Sequence, residues 1–480
     1  MSYRFRSKII YSPPSILGKE CEMTSDLVIK NGKIASPYGI IEGGLAVVDG
    51  RIVAIAKSGH LPKADRVIDA EGKILMPGAI DVHTHLTFGK LCDFTKGTMS
   101  AANGGVTTVM EMPLSTPPCG DNTLTLEAFK EKLEYLKGRA VIDYGLYGGG
   151  AHLNIEEVPK MDKAGVIGFK MYMGESYSPG FPAIDSGALL EMFRKISELG
   201  AIGGVHAENQ SIVRFYTEKL KRKGRKEPEV YSKSRPVFAE VEAIIESAML
   251  AREAGAKLHI FHVSSGSGAQ AIKRLKVDGV AITAETCPHY LFLDESMYKA
   301  KGPYMKINPP IRSSDEVKKL WTAVLDDTID IIASDDSSYS RDEKEAGWKN
   351  IWEAPSGAPG METMLPLLLD RVNKGVLTLE KLISLVCERP AKTFGIYPRK
   401  GVLQVGSDAD IVVVNMKRKF ALRCEDLYTN SEFILYEGME GEGVPELVLC
   451  RGKVVMENGY PGDVIGKGGH GQFITRKNKL

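Results

Sequence analysis

The sequence predicts an α/β protein: a (β/α)8 TIM barrel carrying a small β-sandwich domain built from both ends of the chain. Three observations lead there. Eight short apolar runs alternate with helical patterns through the middle of the 480 residues. Both ends instead carry β-branched runs punctuated by Asn-Gly and Asp-Gly. The residues suited to metal chemistry stand at the C-terminal ends of the middle runs, the face on which barrels of this class place their sites.

The chain starts with MSYRFRSKIIYSPPSILG, basic and then mildly apolar. Pro13 and Pro14 interrupt any signal-peptide core, and Met23 stands just before patterned sequence begins. Residues 1–23 are therefore expected to be a loose extension. DLVIKNGKIAS and LAVVDGRIVAIA follow, each reading as a hairpin about Asn-Gly or Asp-Gly. ADIVVVNM and LVLCRGKVVMENG near the C-terminus have the same texture. Residues 24–73 and 405–470 are assigned to one composite β domain, 74–404 to the barrel and 471–480 to a tail.

Barrel strands are expected in ILMPGAIDVHTHL (74–86), TTVMEMP (107–113), DYGLYGGG (143–150) and VIGFKMYM (166–173). The next four are AIGGVHAEN (201–209), KLHIFHVSS (257–265), AITAETCPHY (281–290) and DIIASDDSS (330–338). Helical patterns such as TLEAFKEKLEYLKG and AEVEAIIESAMLAREAG lie between them. The second ends on the glycine expected beyond a C-cap.

Composition narrows the function classes. Apolar residues make up 43% and charged residues 26%, as in ordinary globular proteins. Lys+Arg 62 against Asp+Glu 61 leaves a net charge of +1, which argues against nucleic acid or an anionic membrane as partner. Seven cysteines without a CxxC pair point to reduced thiols and a cytoplasmic location. The basic run KLKRKGRKEPE from Lys219 reads as a solvated helix end.

His83 and His85 end the first expected strand, and at i and i+2 they share one face. His206, His262 and Asp335 end the fifth, sixth and eighth. Imidazole and carboxylate ligands in this number suit zinc and similar divalent ions. Lys170 lies inside the apolar run GVIGFKMYMG. A buried amine has a depressed pKa, and its neutral form reacts with CO2 to give a carbamate, an anionic ligand with two oxygens that can bridge two metals. A two-metal site of this kind polarises a carbonyl and activates water.

PGAIDVHTH, GFKMYM, VHAEN, HVSS and NPPIRS together resemble the cyclic-amide branch of the amidohydrolase superfamily: hydantoinases, dihydropyrimidinases and allantoinases. DYGLYGGG, KEAGWKNIWEAPSGAPGMET and ERPAKTFGIYPRKGVLQVGSDAD are most similar to L-hydantoinases. The resemblance covers nearly all of the chain after Met23. It implies opening of a hydantoin to an N-carbamoyl amino acid, with allantoinase or dihydropyrimidinase activity as alternatives. It also implies two divalent ions per chain, zinc first and manganese or cobalt as alternatives. His83, His85 and Asp335 would hold one ion, His206 and His262 the other, with carboxylated Lys170 between them. Asp335 would shuttle the proton. The backbone near Pro288 and Ser356 would contact the ring amide, and the assembly would be a homotetramer.

Two positions depart from the family pattern, and a third separates the chain from dihydroorotases. Thr87 stands where dihydroorotases carry arginine, Glu175 where D-hydantoinases carry tyrosine, and Asp336 where histidine commonly follows the aspartate. Strand alternation turns Asp336 away from the barrel mouth, toward a supporting or capping role. Cys287 and His289 form a tempting nucleophile pair, but packing is the simpler reading beside a metal site. The loops holding Phe88, Phe94, Tyr177 and Phe181 read as a side-chain pocket or a packed lid. Two rivals remain: a mononuclear deaminase, which has no use for Lys170, and a non-enzymatic scaffold, which has no use for the ligands.

Overall fold

The structure is a computed structural model and describes residues 24–476 except 177 and 179. The expected extension, Tyr177 and the last residues of the tail lie outside the described residues. No helix among the described residues is long and apolar enough to cross a membrane.

The first strands are β1 (Ser25–Ser36), β2 (Gly39–Val48), β3 (Arg51–Ala56), β4 (Ala64–Asp69) and β5 (Ile74–Pro77). The barrel contributes β6 (Ala79–Thr84), β7 (Val106–Glu111), β8 (Asp143–Leu146), β9 (Gly148–Gly149), β10 (Phe169–Tyr172), β11 (Ile202–His206), β12 (Lys257–Ile260), β13 (Ile282–Thr286) and β14 (Ile331–Ile332). The chain then returns through β15 (Ile411–Ala421), β16 (Glu440–Cys450), β17 (Lys453–Glu457) and β18 (Asp463–Val464).

Both termini share one sheet, in the order β18-β17-β16-β15-β5-β1-β2-β3, with β4 beside β1. β5 is the seam: it runs antiparallel to β15, with Leu75 opposite Val413, and parallel to β1, with Ile74 opposite Lys33. Leu27, Ile29, Leu45 and Val47 from the N-terminal strands pack in one cluster with Ile411 and Leu449 from the C-terminal ones. The sheet folds over this cluster as a sandwich, because neither half has enough apolar surface to close alone.

Two expectations about these strands change. Asp49-Gly50 does turn β2 into β3, with φ of +49° and +74°. Asn31-Gly32 does not turn the chain: β1 runs through it, and the register shifts between Ile29 and Gly32. Asn31, at φ +56°, is accommodated as a bulge within β1. The run 74–86 is also two strands in two domains, β5 and β6, divided at Gly78. A Cβ at Gly78 would stand 2.1 Å from Thr107 Oγ1, so only glycine lets the chain pass here.

The barrel strands pair in parallel as β6-β7-β8 and β9 to β14. β8 and β9 are one strand position interrupted at Tyr147, whose N–H donates to Glu111 O at 3.0 Å. Thr84 bridges Asp336 in parallel and closes the ring. There the His85 N–H donates to Asp336 O at 2.8 Å, and the Ser334 N–H to Asp81 Oδ1 at 3.0 Å. The outer helices carry their own end signals. Thr125 caps Leu126–Leu136 by accepting from the Ala128 N–H. Gly255, at φ +63°, follows Val237–Glu253. Beyond β18, Gln472 and Ile474 hydrogen-bond along Tyr144 of β8.

Candidate metal centre

Period-2 alternation on β6 sends His83 and His85 to the same side at the barrel mouth. Their Nε2 atoms lie 3.1 and 3.3 Å from Asp335 Oδ1. One ligand atom from each of the three falls within 4.8 Å of the others. Across the mouth, His206 Nδ1 lies 3.0 Å from His262 Nε2, and the His83 and His262 ring centroids are 5.3 Å apart. All five sequence-predicted imidazole and carboxylate ligands thus converge on one spot. His262 and Asp335 reach it from left-handed backbone just past their strands, at φ +40° and +52°. Non-glycine residues adopt this region at a cost that tends to be retained at functional sites.

Lys170 sits in the same space. Its side chain is fully buried and its Nζ has no hydrogen-bond partner among the described residues. The amine lies 3.8 Å from the centroid of the Phe261 ring. That ring fills the volume a side chain at Gly204 would need, since a Cβ there would come within 2.1 Å of Phe261. Burial lowers the Lys170 pKa to about 7, against the pull of Glu285 and Asp335. Near neutrality much of the amine is therefore uncharged and nucleophilic.

Burial also lowers the pKa of His83, His206 and His262, so the imidazoles are neutral, as ligation requires. Their orientation is fixed from behind by carboxylates that sequence reasoning did not assign. His83 Nδ1 lies 2.5 Å from Glu285 Oε1, leaving Nε2 for the mouth. Glu285 also meets His259 Nε2 at 3.1 Å. Burial raises the Glu285 carboxyl to about 8, which favours its protonated form. His206 Nε2 lies 2.8 Å from Glu208 Oε2, and Arg235 grips that carboxylate through Nε at 3.0 and 3.1 Å. Such partners set ring orientation and ligand basicity. The available signal was a carboxylate inside an apolar strand (Glu285) or two residues past a ligand (Glu208).

The centre opens into a cavity of about 530 Å³, the size of ordinary small-ligand sites. Phe88, Leu114, Tyr172, Glu175 and Ser356 line it. Pro288 does not: it is buried in the first turn of the helix Pro288–Phe292. Phe94 also stays outside, packed edge-on to Tyr144 in the core, and Phe181 packs under the wall against Tyr172. Thr87 is turned inward, its hydroxyl donating to Glu111 Oε1 at 2.7 Å. Asp336 Oδ1 accepts from the Gly360 and Met361 N–H groups at 2.7 and 3.1 Å and so caps the helix Met361–Asn373, away from the cavity. Cys287 is fully buried and its thiol is held well above its ordinary pKa by burial, which suits packing.

A divalent metal fits these residues on their own evidence. His85 Nδ1, His262 Nδ1 and Lys170 Nζ are buried polar atoms without a hydrogen-bond partner among the described residues. Ring nitrogens of His206 and His262 lie 3.0 Å apart, close enough for both to ligate one cation. Comparison with known proteins agrees. The sequence profile of the Amidohydrolase family matches residues 74–455. The L-hydantoinase of Paenarthrobacter aurescens is 40% identical over 458 residues, 94% of this chain and 98% of the relative. The allantoinase of Solibacter usitatus is 35% identical over 440 residues, 90% of this chain and 94% of the relative. The solved structure of an L-hydantoinase (dihydropyrimidinase) from Arthrobacter aurescens superposes with a TM-score of 0.90 at 39% identity, covering 94% of this chain and all of that one. The chain belongs to the amidohydrolase family.

Proposed function

We propose that this protein is a metal-dependent hydrolase that opens a cyclic amide or ureide ring, converting a hydantoin to an N-carbamoyl amino acid. The observation that carries this reading is the unpartnered Lys170 amine among four histidines and an aspartate. A mononuclear deaminase centre leaves such a lysine unexplained, and a scaffold leaves the whole set unexplained. Names of relatives support hydantoins first and allantoin second.

His83, His85 and Asp335 would hold one divalent ion and His206 and His262 the other, with carboxylated Lys170 between them. Zinc suits this donor set, with manganese or cobalt as substitutes. When bound, the ions polarise the ring carbonyl and lower the pKa of water. Asp335 takes the proton of the attacking water at a carboxylate oxygen and returns it to the leaving ring nitrogen. Phe88, Leu114 and Tyr172 form the apolar wall against which a ring substituent packs. Ser356 and its backbone offer polar contacts to the ring amide. Phe238, Ile245 and Met249 are exposed along the helix Val237–Glu253 and support burial between copies, as in a homotetramer.

The test is a panel on protein loaded with two ions per chain: hydantoin, 5-substituted hydantoins, dihydrouracil, allantoin and succinimide. Ring opening of a 5-substituted hydantoin to its N-carbamoyl product is expected to be fastest. Faster turnover of allantoin moves the assignment to the second reading. No turnover on any member rejects cyclic-amide hydrolysis.

A further inference from the structure

Two thiols sit at the rim of the candidate site without a role in it. Cys92 closes the loop between β6 and the helix Phe94–Asn103, one residue before the N-cap Asp93. Cys119 lies in the loop between β7 and the helix Leu126–Leu136. Their sulfurs are 2.8 Å apart, closer than two thiols pack without bonding. Bond formation needs only a further approach to about 2.0 Å. Cys387, Cys424 and Cys450 donate only to backbone oxygens, those of Pro77, Ser431 and Thr107, whereas Cys92 and Cys119 contact each other as well as backbone.

The two loops are already held in register by groups other than sulfur. The Thr116 N–H donates to Thr87 O and its hydroxyl to Gly89 O, both at 3.0 Å. The Cys119 N–H donates to Thr116 O at 2.9 Å. A covalent bond here therefore captures an existing arrangement and does not have to impose one. Cys92 is half-buried and reachable from solvent, whereas Cys119 is buried. The same loops bring Phe88 and Leu114 to the cavity wall.

We propose that Cys92 and Cys119 form a reversible disulfide that clasps the first two loops at the barrel mouth, with a low-molecular-weight disulfide as the oxidant. The Cys92 thiolate attacks one sulfur of that disulfide and expels one small thiol, leaving a mixed disulfide on Cys92. Cys119 then gives up its proton and its sulfur attacks the Cys92 sulfur, expelling the second small thiol. The protein loses two electrons and two protons, and the oxidant gains them. Burial raises the Cys119 thiol pKa and so disfavours its thiolate, which leaves the first attack to the half-buried Cys92.

The experiment uses metal-loaded, full-length protein incubated with oxidised glutathione, then alkylated under denaturing conditions and digested. The expected result is a peptide pair cross-linked through Cys92 and Cys119, with free thiols falling from seven to five per chain. Dithiothreitol restores all seven, and the oxidised form melts several degrees higher. Cys92→Ser and Cys119→Ser each remove the cross-link and that shift. Seven free thiols after incubation, or a glutathione adduct on Cys92 with Cys119 still free, overturns the proposal. Because the peptide map is read on the unsubstituted protein, it stands even if a variant folds poorly.

Discussion

Two lysines are buried at opposite ends of the barrel, and their surroundings could hardly differ more. Lys400, below the N-terminal ends of the strands, meets Asp143 and Asp410 at 2.6 Å and Asp408 at 3.1 Å. Arg451 completes the group on Asp143 at 3.0 Å. Burial alone would lower the Lys400 pKa, but the carboxylates of Asp143 and Asp410 outweigh it and raise it. Lys170, at the C-terminal end, has no hydrogen-bond partner among the described residues, and burial lowers its pKa to about 7. One lysine is fully compensated and ties the barrel to the sandwich. The other is left reactive. The contrast follows the division of labour in such barrels, with stability at one face and chemistry at the other.

The largest effect expected from breaking this comparison is at Lys170. Lys170→Ala should lose bound metal and cut turnover on the order of 10³-fold or more, since metal activation accounts for several kcal/mol of barrier. Short carboxylic acids added to the variant should recover part of it by supplying the missing oxygens. Full activity and two ions per chain in Lys170→Ala without additives would remove the lysine from the centre.

Asp335→Asn should keep most of its metal and lose roughly 10²–10⁴-fold in turnover, the worth of a positioned proton shuttle. Elemental analysis alongside the kinetics separates the two roles of this carboxylate. Loss of metal in parallel with activity would make it chiefly a ligand.

Lys400→Met should do the reverse. Removing one partner from a buried charge group costs about 3–5 kcal/mol of stability, read by denaturant unfolding, while metal content and KM stay unchanged. Because the folded pKa of Lys400 lies above its ordinary 10.5, its contribution is complete below that value and fades only as pH rises past it. The stability gap between the two proteins should therefore stay constant from about pH 6 to about pH 9. A gap that closes within that window would show that the aspartates, not the lysine, dominate.

The smallest effect belongs to Asp336→His. It exchanges the carboxylate on the Gly360 and Met361 N–H groups and should cost about 0.5–2 kcal/mol, as for other helix caps, with metal content unchanged. Loss of a metal would place this side chain at the centre after all.

The sequence by itself determined the parts that rest on local pattern. The β6 pair His83 and His85 followed from period 2, and outer helices from their patterns, one with the glycine past its C-cap. The placing of the candidate ligands at the barrel mouth followed from where apolar runs end. The terminal strands were legible as strands, and Asp49-Gly50 as a turn. Only the tertiary structure decided what depends on residues far apart in the chain. Asn31-Gly32 became a bulge because β4 and β5 pair along one edge of β1 and keep it extended. The run 74–86 split because β5 is needed to join the termini while β6 starts the barrel. Glu285 and Glu208 became anchors for His83 and His206 through contacts spanning up to 202 residues and Arg235. In the sequence Lys170 stands inside an apolar run and Lys400 between Arg399 and Gly401, and neither neighbourhood shows its partners. What separates them is which carboxylates the fold delivers to each amine, and that is a property of packing, because the free energy of a buried charge is set by the groups within a few ångströms of it.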